Sequence, residues 1–103
     1  MPDIKEIKRK FLVNEVEISA HAIGRAARRG INAQEIREAI TTSEIVEDYP
    51  TDKYGPSCLL LGFTHEGRAL HIRCSYPSRR LVKIITLYEP SPLLWTDHKI
   101  RKD

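Results

Sequence analysis

The stretch HAIGRAARRG, residues 21–30, gathers four basic or imidazole side chains and no acid. On a helix turning 100° per residue, His21, Arg25, Arg28 and Arg29 fall within roughly 100° of one another. Arginine at all three cationic positions favours planar, two-pronged contact with phosphate. His21 stands in the first helical turn, where exposed N–H groups attract anions, and an imidazole can take up a proton near pH 7. A second group lies in ALHIRCSY, residues 69–76, where Leu70, Ile72, Cys74 and Tyr76 alternate with His71, Arg73 and Ser75. That alternation predicts a strand carrying His71 and Arg73 on the face turned away from the helices, where an open sheet meets solvent. Lys83 adds a cation on the following strand. Simple alternation puts Lys83 on one face of that strand and Thr86 with Tyr88 on the other, and which of the two faces matches His71 depends on register. Together these residue types suit the binding of a phosphate ester and the movement of protons around it.

Other chemistries find less support. No histidine or cysteine pair has H-x₃-H or C-x₂-C spacing, so neither a metal nor another cofactor is expected. The chain has no P-loop, no G-x-G-x-x-G and no G-x-S-x-G, which removes the usual phosphate-cradle and serine-hydrolase motifs. Cys58 and Cys74 sit in apolar runs and read as small buried side chains in a reducing compartment.

The elements that must position these residues follow from periodicity. Ile4, Ile7 and Phe11 are spaced for a short amphipathic helix, and Val16 and Ile18 for a brief extended segment. Ser19 caps a helix that runs to about Arg29 and is stopped by Gly30. Asn32 and Glu35 form a capping box for the next helix, whose apolar stripe is Ile36, Ala39 and Ile40. The period then changes. Strands are expected over residues 44–49, 57–64, 69–76 and 80–89, and Trp95 is expected to pin a short C-terminal helix over the sheet. This is the pattern of a single α+β domain over residues 1–103, with N-terminal helices on one face of a four-stranded antiparallel sheet.

Charge is unevenly spread. The formal total is only +3, yet residues 19–31 hold three arginines and no acid, whereas residues 35–52 hold six acids and one arginine. Such polarity can concentrate an anionic partner on one side. No apolar run approaches the ~20 residues that cross a bilayer, and the charged opening MPDIKEIKRK cannot be the core of a signal peptide. A cytoplasmic location without membrane association is the expectation.

The ordered set SAHAIGRAARRGI, PSCLLLGF, GRALHIRCSY and IITLYEPSPLLW resembles a small uncharacterised bacterial domain family. Its pattern is H-A-x-x-R-x-x-x-R-G-I, then P-S-x-L-x-L-G, L-H and I-I-T-x-Y-x-P before a tryptophan, spanning roughly residues 18–98. That family is distantly similar to the BrnT, RelE and MqsR toxins of bacterial toxin–antitoxin systems. The resemblance implies a RelE/BrnT-like fold, metal-independent RNA cleavage that can be ribosome-associated, and an MqsA-like antitoxin partner with a zinc ribbon. It transfers no catalytic assignment.

Roles therefore come from chemistry. RNA carries its own nucleophile, the 2′-hydroxyl, so an endoribonuclease needs a base, an acid and phosphate contacts. His21 and His71 are the expected proton carriers, with base and acid left open. Arg25, Arg28, Arg29, Arg73 and Lys83 are the expected phosphate contacts, and Tyr49 and Tyr88 accessory groups. This reading requires His21 and His71 to share one hollow. The alternative is a non-catalytic nucleic-acid- or protein-binding regulatory module.

Overall fold

The computed structural model describes residues 1–102, and its elements run α1 (Ile4–Leu12), β1 (Val16–Ile18), α2 (Ala20–Arg29), α3 (Ala33–Thr41), β2 (Glu44–Tyr49), β3 (Ser57–Phe63), β4 (Ala69–Ser75), β5 (Val82–Tyr88), β6 (Trp95–Thr96) and β7 (Ile100–Arg101). The α+β class expected from the pattern is present. The helix boundaries follow their caps. Ser19 accepts a hydrogen bond from the Ala22 amide, Gly30 closes α2 at φ 64°, and Asn32 with Glu35 completes a capping box. Among the described residues no helix is long and apolar enough to cross a membrane.

Three features depart from expectation. First, the main sheet has five strands in the order β1-β5-β4-β3-β2 and is mixed, not four-stranded and antiparallel, because β1 pairs parallel with β5. The brief extended segment at Val16 and Ile18 is present as β1, and its parallel pairing with β5 is what the pattern did not contain. Second, the described C-terminal residues form no helix. Pro90 and Pro92 remove amide donors, and Asp97 and His98 take left-handed φ values of 53° and 62°. The result is a tight β6–β7 hairpin closed by the Lys99 amide on the Thr96 carbonyl. Third, β4 and β5 slip by one residue between Arg73 and Cys74, which pair with Thr86 and Ile84. Ile85 is the extra residue of this bulge. Val82, Ile84 and Leu87 thereby all face the core, and Lys83 falls on the same side as Thr86 and Tyr88.

The core lies between helices and sheet. Ile7, Ala22, Ile36, Ala39 and Ile40 meet Cys58, Leu60, Leu70, Ile72, Val82 and Ile84, all buried. Cys58 and Cys74 are free thiols opposite one another, with sulfurs 3.9 Å apart. The hydrogen bond with the Cys58 thiol, and then burial, push Cys74 well above the usual thiol range, so it behaves as a small apolar side chain.

Candidate functional site

The sheet face away from the helices carries Glu47 and Tyr49 from β2, Ser57, Leu59 and Leu61 from β3, His71, Arg73 and Ser75 from β4, and Lys83, Thr86 and Tyr88 from β5, as the strand pairing dictates. The hairpin divides it. Its Trp95 ring stands edge-on to His71 at 4.5 Å, and its Arg101 bonds Glu47 at 3.0 Å while lying over Trp95. That half is sealed.

His71 is consequently 0% exposed, which corrects the expectation of a solvent-facing imidazole. Its Nε2 lies 2.6 Å from the His98 carbonyl. A carbonyl can only accept, so Nε2 carries the hydrogen and Nδ1 accepts from the Tyr88 hydroxyl at 3.3 Å. Burial holds the His71 pKa below its usual range, and burial likewise raises Tyr88. The unfolded imidazole takes a proton near pH ~6.5 whereas the folded one resists, so stability is full above that value and falls as pH drops through it. Urea unfolding should show a decline from about pH 7 to pH 5 that is flattened in His71→Leu. An equally steep decline in that variant would place the titration elsewhere.

The other half of the face is open. His21, Arg73, Arg79 and Lys83 line a hollow of about 540 Å³, with Ser19, Ser75 and the 52–56 loop along its walls. Arg73 is tethered there. It pairs with Asp52, donates to Ser57 Oγ at 3.2 Å and lies over the Tyr49 ring at 4.6 Å. The Asp52 carboxyl is held below its usual range by the Tyr54 amide, with Arg73 adding to this. Among the described residues, neither Arg79 nor Lys83 is paired with a carboxylate, and Asp52 is the one acid on the lining. The balance favours an anion. Two phenols nearby are poor proton carriers: burial and Glu47 push Tyr49 up to about 12, and the Asp48 hydrogen bond pushes Tyr76 up to about 12. Tyr49 serves as the platform for Arg73 and as a donor to Glu47.

The basic stripe of α2 forms, but it is shared out. Ala22 and Ala26 are buried and lay the helix along β5, beside the stripe. His21 reaches the open hollow. Arg29 lies at the other end of the helix, donating to the Leu87 carbonyl at 2.7 Å and lining a separate hollow of about 430 Å³ with Tyr88 and Trp95. Arg25, between them, has a buried Nε without a partner among the described residues. Arg28 is exposed and lines neither hollow. The structure thus unites His21, Arg73 and Lys83, and it leaves His71 under the hairpin.

Two hollow-lining residues escaped the sequence reading as site groups. They are Arg79 and Asp52, charged groups that line the hollow. A loop joining β2 to β3 and another joining β4 to β5 bring them to the same rim.

Residues 18–89 match the family model described as Domain of unknown function (DUF4258). The chain belongs to this family. The matched span runs from the end of β1 through β5, so the DUF4258 domain includes α2, the open hollow and the strand bearing His71, and it stops before the hairpin that covers that histidine. No curated protein and no solved structure matches the chain.

Proposed function

We propose that this DUF4258 domain is a toxin-like, metal-independent endoribonuclease whose site is the open hollow at His21. The observation that supports it is the meeting of an exposed imidazole with Lys83, Arg79 and Arg73 over a surface whose single acid is already engaged. In this reading the scissile phosphate sits against Lys83 and Arg73. His21 takes the proton of the 2′-hydroxyl, the 2′-oxygen bonds to phosphorus, and the bond to the 5′-oxygen breaks, with water returning a proton to the leaving oxygen. Lys83 and Arg79 offset the charge that grows on the phosphoryl oxygens. His71 has no direct part. It fixes Tyr88 and the hairpin from beneath.

The test is purified protein on RNA in the presence of a chelator, alone and with ribosomes. Cleavage should persist, should leave 2′,3′-cyclic phosphate ends and should spare a strand carrying deoxyribose at the cut site. RNA left intact under all of these conditions would overturn the proposal. The sealing of His71 and the tethering of Arg73 favour one second reading, a nucleic-acid-binding module without turnover. It predicts salt-dependent RNA binding and no products.

A further inference from the structure

β1 is three residues long and forms the outer edge next to α1 and α3. Its parallel ladder engages alternate residues: the Glu15 carbonyl accepts from Val82 and the Ser19 amide donates to Ile84. By the same alternation the backbone N–H and C=O of Val16 and Ile18 point away from β5, toward the open edge. Their side chains, with Phe11 and Ile36, line a hollow of about 180 Å³. Through Phe11, Asn14 and Arg37 it continues into an apolar trough of about 390 Å³ between α1 and α3, where Leu12, Ile40 and Lys8 join. Leu12 is 81% exposed and the adjacent Val13 54%. Among the described residues Lys8 and Arg37 pair with no carboxylate, while the nearby Glu15 is matched to Arg9.

We propose that this trough is a docking site for an extended segment of a partner protein, one that adds a strand to β1. The unpaired edge calls for an extended backbone. The trough calls for apolar side chains at alternate positions. Lys8 and Arg37, cationic and unmatched, call for carboxylates at the end of that segment. A second copy of the chain fits poorly, since edge-to-edge pairing would bring two sets of these cations together. The surface shares no lining residue with the hollow at His21 and does not depend on its chemistry.

The test uses a synthetic eight-residue peptide, three Val-Thr repeats followed by two aspartates, against the same peptide ending in two lysines. The acidic peptide should slow hydrogen exchange at the Val16 and Ile18 amides tenfold or more. Arg37→Glu, at an exposed position, should weaken binding at least tenfold. Ile18→Pro should do the same, because it deletes an outward N–H without touching the bonds at Glu15 and Ser19. Unchanged exchange at both amides would overturn the proposal, as would equal binding of the two peptides or full binding by Arg37→Glu. A peptide-free dimer protected at these amides would also overturn it, by showing that a second copy is the occupant.

Discussion

Gly62→Ala should be among the most damaging single changes in the molecule, costing about 3 kcal/mol or more. Gly62 lies in β3 where α3 crosses it. A Cβ built there would stand 1.8 Å from the Ala39 carbonyl oxygen and 2.5 Å from its carbon. These are backbone atoms, so no side-chain rotation relieves the clash, and α3 must lift from the sheet. Overpacked cores typically lose about 1–3 kcal/mol, and displacing a helix belongs at the top of that range or beyond it. For a domain whose whole stability is about 5–15 kcal/mol, this is a large fraction. The internal control is Gly24→Ala. A Cβ there meets nothing within 4 Å, and replacing a mid-helix glycine should add about 0.5–1 kcal/mol. Urea unfolding of both variants reads the contrast directly. A loss below 1 kcal/mol for Gly62→Ala would mean that α3 does not lie on β3 as described.

The same glycine shows what one-dimensional pattern can and cannot deliver. In PSCLLLGF it reads only as a motif residue that interrupts an apolar run. Its reason is a contact made 23 positions away in the chain, which periodicity does not encode. The helices were legible because their signals are local: Ser19, Gly30, Asn32 and Glu35 each act within a few residues. So were β3 and β4, whose length and alternation suffice. The bulge at Ile85 was not, and it reverses the face of everything before it. Simple alternation separates Lys83 from Thr86 and Tyr88, and the one-residue slip reunites them. β1 was legible as an extended segment but not as a parallel partner, because its pairing is decided at β5, some 66 residues on.

For the site, the identity of the residues was easier to read than their surroundings. His21, Arg73 and Lys83 share a hollow, whereas His71 stands two residues from Arg73 on the same face and is inaccessible. The difference is made by residues 95–101, whose hairpin rests on tight-turn geometry at Asp97 and His98. A tryptophan after two prolines announced a cover over the sheet; it did not announce which face, or that the carbonyl of His98 would occupy the Nε2 of His71. Arg73 illustrates the same limit. As a cation beside a histidine it suggests a free phosphate contact, and the acid that tethers it, Asp52, comes from a loop 21 positions earlier.

His21→Ala should lower RNA cleavage by about 10²–10⁴-fold, the usual contribution of one positioned proton carrier, while leaving RNA affinity within about threefold. The reason is the division of labour inside the hollow. His21 is exposed on the lining of the hollow, and among the described residues it is the one imidazole there. In the proposed reading, the charge that meets RNA is that of Lys83, Arg79 and Arg73. Lys83→Ala should therefore behave differently, weakening binding about tenfold and reducing the slope of log affinity against log salt by about 0.7, one phosphate contact on a single strand. His71→Leu supplies the third pattern. It removes two hydrogen bonds beneath the hairpin, so it should lower stability and leave cleavage per folded molecule within a few-fold of wild type. Parallel assays of turnover, salt-dependent binding and urea unfolding on the three variants separate a catalyst from a binder. If His21→Ala cuts as fast as wild type while His71→Leu, still folded, is inactive, the chemistry lies under the hairpin, and the open hollow is only where the RNA is held.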